Sequence, residues 1–289
     1  MLVGLIGANI QGSLSPALHE DAFAAAGLAG YYHLMDLDRL PGRGLDDLLT
    51  AARVAGFAGV NITYPCKEAA AARMDKLSPE ARQIGAVNTV VFDRGGRMTG
   101  HNTDRIGFRR SFEETLGRRA IESGTAVLIG AGGAGRAAAF ALLDLGAACL
   151  LVHDKDTSRA IDLVKSLTTW FERPCARVTT DPRSALSQAV GVVNATQVGM
   201  IGFPGNPVPM DMLEARHWVF DVIYTPLETE LIRAARARGA HVIGGAGMCV
   251  HQAAEAFRLF TGVASDVARM RNTFMIAAGA RERTLVAVP

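Results

Sequence analysis

Residues 125–146 read TAVLIGAGGAGRAAAFALLDLG: an apolar run, three glycines at Gly130, Gly132 and Gly135, then an alanine-rich stretch without a helix breaker. A strand that enters a G-x-G-x-x-G turn and leaves as a helix opens a βαβ unit. It commits its surroundings to a parallel sheet with helices on the faces. Gly130 permits the tight turn, Gly132 lets the backbone approach a pyrophosphate, and Gly135 lets helix and strand pack closely. The amides at the helix N-terminus point donors and a positive dipole at the same place. A tight strand–helix turn with no ligand is the plain alternative.

The alternation continues from end to end. Strands are expected at Leu2–Gly7, Tyr31–Asp36, Gly59–Thr63, Val87–Phe92, Ala126–Ile129, Cys149–Asp154, Gly191–Asn194, Trp218–Val222 and His241–Ile243. Helices fill the gaps, among them Pro16–Ala26, Gly107–Thr115, Ala134–Leu145, Thr157–Thr168, Glu228–Arg238, Met248–Phe260 and Ser265–Ala278. Strands separated by crossover helices imply parallel sheets. At 289 residues two domains are expected. One boundary falls between Asp104 and Gly124 and a second near Gly244–Gly247, whose glycines are candidate hinges.

Thirty basic residues against 28 acidic ones leave +2, with no basic run, so neither nucleic acid nor an anionic membrane is an expected partner. Cys66, Cys149, Cys175 and Cys249 form no CxxC pair and no histidine cluster completes a zinc set, so no metal is expected. The start reads as a strand rather than a signal peptide, and no apolar stretch reaches the roughly 18–20 residues that span a bilayer. A cytoplasmic location is the expectation. The tail after Ala280, RERTLVAVP, is expected to be disordered.

Polar residues cluster in loops of the first half. Ser15 before Pro16 reads most simply as a helix cap, although Ser13 and Ser15 together could equally grip a carboxylate or a diol. GVNITYPCKE carries Asn61, Thr63 and Lys67; GAVNT carries Asn88; NTDRIG carries Asp104, itself a candidate cap. Each has a bland explanation alone. Together they crowd strand ends, where ligands of parallel sheets gather, and suggest one hydroxyl-rich, negatively charged ligand. Asp154, at the end of the strand after the glycine turn, suits the ribose hydroxyls of NAD and repels the 2′-phosphate of NADP, while Asp156 can cap the following helix. Lys155 and Arg159 are nearby cations.

SxS (Ser13, Ser15), NxTxPxK (Asn61–Lys67), GAxNT (Gly85–Thr89), NTDxxG (Asn102–Gly107), GAGGAG (Gly130–Gly135), VNAT with VGM (Asn194–Met200), DVIYTPLETELI (Asp221–Ile232) and GMCVHQAAEAFRLFTG (Gly247–Gly262) follow in that order. The chain thus resembles the shikimate and quinate/shikimate dehydrogenases over roughly residues 3–275. The resemblance implies an α/β protein of two domains separated by a cleft. An open, mostly parallel substrate-binding domain would comprise residues 1–104 plus 247–289, and a Rossmann-type NAD-binding domain residues 105–246. It implies Ser13 and Ser15 on a substrate carboxylate, and Thr63, Lys67, Asn88, Asp104, Tyr224 and Gln252 around ring hydroxyls, with Lys67 and Asp104 as the catalytic pair. It implies Gly130, Ala131, Gly132, Gly133, Ala134, Gly135, Asp154, Arg159, Thr196, Val198, Val222, Gly245 and Met248 on the cofactor.

Two departures bear on specificity. NADP-dependent members carry an Asn-Arg-Thr type basic motif where this chain reads His153-Asp154-Lys155-Asp156, which is more similar to the NAD-using quinate/shikimate branch. Cys66 stands where an aromatic or histidine is common, and Ser15 where some quinate-preferring relatives have threonine. The activity implied is reversible oxidation of a ring hydroxyl of a small polyhydroxy carboxylate. An aminoshikimate-type dehydrogenase, a generic Rossmann reductase and a non-catalytic NAD- and metabolite-binding regulator are the alternatives. A homodimer is compatible with the sequence.

Overall fold

The computed structural model describes residues 1–287, which divide into two compact units: Met1–Thr103 with the chain from Val250 onward, and Asp104–Cys249. The first unit begins β1 (Leu2–Gly7), α1 (Ser15–Ala25), β2 (Tyr31–Asp36), α2 (Leu45–Val54) and β3 (Gly59–Ile62). It continues with α3 (Lys67–Ala71), β4 (Lys76–Leu77), α4 (Pro79–Ile84), β5 (Thr89–Phe92) and β6 (Met98–His101). Its six-stranded sheet has the order β2-β1-β3-β5-β6-β4. β1 lies between β2 and β3 and pairs in parallel with both, as the helical crossovers require. In keeping with a mostly parallel sheet, the other side departs from that pairing: β5 runs antiparallel to both β3 and β6. The reason is local. β5 and β6 are joined by the Asp93–Arg97 turn, where Gly96 N–H donates to the Asp93 carbonyl at 2.9 Å, and so short a link can only reverse the chain.

The second unit comprises α5 (Asp104–Leu116), β7 (Thr125–Ile129), α6 (Gly133–Asp144), β8 (Cys149–His153), α7 (Thr157–Phe171) and β9 (Ala176–Val178). α8 (Pro182–Ser187), β10 (Gly191–Asn194), β11 (Trp218–Asp221), α9 (Glu230–Ala237) and β12 (His241–Ile243) complete it. All six strands pair in parallel in the order β12-β11-β10-β7-β8-β9, the doubly wound Rossmann-type arrangement. β7 is buried on both faces through Ala126–Ile129, which explains its unbroken apolar sequence. The alanines of α6 (Ala137, Ala138, Ala139 and Ala141) are fully buried; small side chains let this helix lie close to its neighbours. Phe108 of α5 stacks on Phe220 of β11 with ring centroids 4.1 Å apart, and burying each such ring contributes about 1.5–3 kcal/mol.

Two helices close the chain, α10 (Ala246–Thr261) and α11 (Val267–Ala287). From Val250 they belong to the first unit, where Phe257 meets Phe23 of α1 at 5.2 Å and Arg269 of α11 forms a bidentate pair with Asp21. The tail expected to be disordered is helical as far as Ala287, because α11 runs on along α1, and the Arg281 guanidinium donates to the Gly12 carbonyl. Val288 and Pro289 lie outside the described residues. Among the described residues no helix is long and apolar enough to cross a membrane.

Candidate active site

The strand order of the second unit reverses between β7 and β10, and ligands of doubly wound sheets bind beyond the carboxyl ends at such a point. The glycine turn leaves β7 there. Gly130 has φ +99°, open to glycine at little cost, and a β-carbon on Gly135 would stand 1.9 Å from the Gly130 carbonyl oxygen. Gly132 is the N-cap of α6, so the amides of Gly133, Ala134 and Gly135 fall in its first turn, where no intrahelical acceptor exists. Asp154 follows β8 beside this turn: its Oδ2 accepts the Ala131 N–H at 2.7 Å and its Oδ1 the Asp156 N–H at 2.9 Å. The Arg159 guanidinium lies 3.3 Å from where a Gly132 β-carbon would be. Asp156 is the N-cap of α7, accepting from Ser158 N–H at 3.0 Å.

Two buried polar side chains draw the neighbouring loops together. Asn194, ending β10, accepts the Thr196 N–H and hydroxyl (3.0 and 2.7 Å) and donates to the Val198 carbonyl and to Asp221 Oδ1, each at 3.1 Å. Asp221, ending β11, also accepts from Ile223 N–H (3.1 Å) and the Thr229 hydroxyl (2.7 Å). Gly245 N–H donates to the Ile223 carbonyl at 3.1 Å. Thr196, Val198, Val222 and Gly245 are thereby gathered around one buried amide–carboxylate pair. Burial pushes the Asp221 carboxyl up to about 6 against the pull of its three donors. Met248 is buried in the first turn of α10.

In the first unit Asn88, Thr103 and Gln252 come together. Asn88 Oδ1 accepts the Thr103 N–H at 2.8 Å, Asn88 Nδ2 donates to Thr103 Oγ1 at 3.0 Å, and that hydroxyl reaches Gln252 Oε1 at 3.4 Å. Lys67 is the half-buried first residue of α3, and its carbonyl accepts the Val87 N–H at 2.8 Å, which ties it to the residue before Asn88. Thr63 follows β3, its N–H donating to the Ile6 carbonyl at 2.9 Å.

Ser13 lies at the end of a loop pinned by Asp36, and Ser15 opens α1 just beyond it; the Asp36 carboxylate accepts from Asn9 N–H, Ile10 N–H and Gln11 Nε2 at 3.0–3.3 Å. Burial alone would raise the Asp36 pKa, but these donors outweigh it and hold the carboxyl below its usual range. Ser15 does not cap α1: Leu14 is the N-cap, already in helical conformation, and the Ser13 hydroxyl accepts the Ser15 N–H at 3.2 Å. Asp104 and Tyr224 belong to the second unit, Asp104 buried as the first residue of α5 and Tyr224 half-buried after β11.

The shikimate dehydrogenase substrate binding domain matches residues 5–90, and the shikimate 5′-dehydrogenase C-terminal domain matches residues 245–273. The quinate/shikimate dehydrogenase (NAD(+)) of Corynebacterium glutamicum strain R is 46% identical over 280 residues, covering 95% of this chain and 98% of that protein. The chain belongs to the shikimate dehydrogenase family. Another member, the shikimate dehydrogenase (NADP(+)) of Streptomyces avermitilis, is 48% identical over 275 residues, covering 93% of each. Among solved structures, quinate dehydrogenase from Corynebacterium glutamicum in complex with NAD superposes with TM-score 0.88 at 45% identity, covering 96% of this chain and 99% of that one.

As a shikimate dehydrogenase family member the chain is an oxidoreductase that uses a pyridine nucleotide. Three positioning residues, Asn194, Asp221 and Thr229, are absent from the site residues expected from sequence. The available signal was a polar residue closing an otherwise apolar strand, as in GVVN and WVFD.

Proposed function

We propose that this family member catalyses reversible oxidation of a ring secondary hydroxyl of shikimate or quinate to the 3-dehydro ketone, with NAD as the hydride carrier. The observation that carries the cofactor assignment is the Asp154 carboxylate, bound to the glycine turn through Ala131 at 2.7 Å. A carboxylate there accepts the ribose 2′- and 3′-hydroxyls and repels a 2′-phosphate. Similar relatives carry NAD(+) or NADP(+) in their names, so this residue bears the argument rather than overall identity. Gly130, Ala131, Gly132, Gly133, Ala134 and Gly135 would cradle the pyrophosphate beside Arg159. Thr196, Val198, Val222, Gly245 and Met248 would line the nicotinamide end. NAD bound in this way supplies the hydride acceptor at C4 of its nicotinamide.

The chain's own groups do the rest. The unit of Met1–Thr103 with the chain from Val250 onward would serve as the substrate domain and Asp104–Cys249 as the nucleotide domain, which moves the boundaries expected at 104/105 and 246/247 by a few residues. Ser13 and Ser15 donate to the substrate carboxylate, while Thr63, Asn88, Tyr224 and Gln252 hold ring hydroxyls. Lys67 Nζ takes the proton of the reacting hydroxyl in oxidation and returns it in reduction, and Asp104 orients both groups. Positioned acid–base groups of this kind contribute about 10²–10⁴-fold. Accordingly Lys67→Ala should lower kcat at least a hundredfold and leave the NADH dissociation constant unchanged; near-normal turnover would overturn the Lys67 assignment. A matrix of kcat/KM for shikimate and quinate with NAD and NADP tests the whole reading. The expected result is at least a tenfold preference for NAD, and an equal or greater rate with NADP would reject the role given to Asp154.

A further inference from the structure

Behind Asn88 and Gln252 lies a chain of buried hydrogen bonds whose directions are set from its main-chain ends. It starts from the Asn88 main-chain carbonyl, which can only accept, and which takes the Ile62 N–H at 2.8 Å and Asn61 Nδ2 at 3.2 Å. That contact fixes the Asn61 amide. Its second Nδ2 hydrogen goes to Thr89 Oγ1 at 2.9 Å, and its Oδ1 receives the Tyr32 hydroxyl at 2.8 Å. Thr89, already accepting, donates its own hydrogen to Asn88 Oδ1 at 3.1 Å. The Thr103 N–H, which can only donate, reaches the same oxygen at 2.8 Å. Asn88 Oδ1 is therefore filled from both sides, and Nδ2 must face Thr103 Oγ1. The Thr103 hydroxyl, accepting from that Nδ2, lies 3.3 Å from Asn88 Oδ1 and 3.4 Å from Gln252 Oε1; donating to the latter, it turns Gln252 Nε2 outward. Tyr32 is clamped at the far end, 3% exposed and stacked on the His19 ring at a centroid distance of 4.7 Å.

We propose that Asn61 and Thr89 are positioning residues that hold Asn88 and Gln252 as hydrogen-bond donors toward the substrate, so that the ring position they meet must carry an accepting oxygen. The proposal rests on the substrate roles given above to Asn88 and Gln252. A hydroxyl or ketone oxygen meets two amide NH2 groups favourably. An ammonium has three donors and no acceptor, and it meets them donor to donor. Hydroxy substrates are thus accepted and amino-substituted analogues of the same ring rejected. An amide free to turn would present its oxygen instead and lose that discrimination.

The test is steady-state kinetics of Thr89→Val and Tyr32→Phe with shikimate and with an amino analogue of the ring, alongside NADH titration. Thr89→Val keeps the shape and removes the link to Asn88; Tyr32→Phe keeps the stacked ring and removes only the terminal donor. Thr89→Val should raise KM for shikimate about tenfold with a smaller change in kcat, leave the NADH dissociation constant unchanged, and shrink the hydroxy-over-amino ratio of kcat/KM at least threefold. Tyr32→Phe should move the same ratio in the same direction by less, and serves if Thr89→Val fails to fold. Equal losses on both compounds, or no loss in either variant, would overturn the relay. Asn88→Ala separates the two levels. If it leaves KM and the ratio untouched, the substrate role of Asn88 falls and the proposal with it. If it alone is impaired, only the relay falls.

Discussion

Asp221 and His19 are buried titratable groups that respond to pH in opposite senses. The Asp221 carboxyl, raised by burial from 3.8 to about 6, holds its proton more tightly folded than unfolded. Its contribution to stability is complete below pH 3.8 and is lost as pH rises to about 6, an effect of roughly 3 kcal/mol. His19 is pushed down by burial from 6.5 to about 3, so its contribution is present above pH 6.5 and lost as pH falls toward 3. Asp221→Asn should therefore remove the descending contribution and leave that of His19 unopposed: Tm measured by scanning fluorimetry should rise more steeply with pH between pH 4 and 6 than in wild type and be no lower at pH 7.5. An unchanged pH profile would show that the Asp221 proton is not coupled to folding. Neither effect was legible in the sequence, because both depend on what surrounds the side chain. The Ser15 cap was misread for a related reason: Leu14 adopts helical φ and ψ, and a Ser-Pro pair cannot reveal that.

At the level of elements, sequence legibility tracked apolar content. All nine expected strands exist, several within a residue of the expected bounds. β4 (Lys-Leu), β6 (Met-Thr-Gly-His) and β9 (Ala-Arg-Val) were not legible because each holds a single bulky apolar residue, whereas every expected strand holds at least two. The β5–β6 hairpin is nonetheless written in its turn, Asp-Arg-Gly-Gly-Arg. Spacing also gives no hint of Arg105, whose guanidinium grips Asp144 of α6 through two bonds of 2.7 Å and lies 5.2 Å from the Phe140 ring centroid. This clamp fixes the first turn of α5, the turn that begins with Asp104. Arg105→Ala would leave a half-buried carboxylate without its bidentate partner and should cost roughly 1–3 kcal/mol, read as a lower urea midpoint at unchanged m. A loss of kcat beyond that expected from the unfolded fraction would reveal the same displacement at Asp104.

For the whole molecule, the glycine turn and the strand–helix alternation made the second unit readable almost in full. The ordered motifs, rather than any periodicity, carried the proposed substrate residues. A cofactor that binds only the folded second unit must stabilise it by mass action. At a hundredfold excess over Kd the gain is about 2.7 kcal/mol, and a domain of this size moves roughly 2–4 °C per kcal/mol. Millimolar NAD should accordingly raise Tm by several degrees and the same NADP by clearly less; the reverse order would count against Asp154 as the selecting residue.

The meeting of Phe23 with Phe257 carries a consequence for biogenesis. A ribosome delivers residues in order, so the inner face of α1 emerges long before the helix that covers it. The second unit is continuous in sequence and has all its strands once residue 249 is out. The first must wait, its apolar surface open, until the last two helices arrive. Nascent chains are therefore prone to stick to one another throughout the interval between α1 and the helix that covers it. Slowing synthesis anywhere between the codons for α1 and those for α10 would prolong that exposure, whereas slowing it over β1 would not.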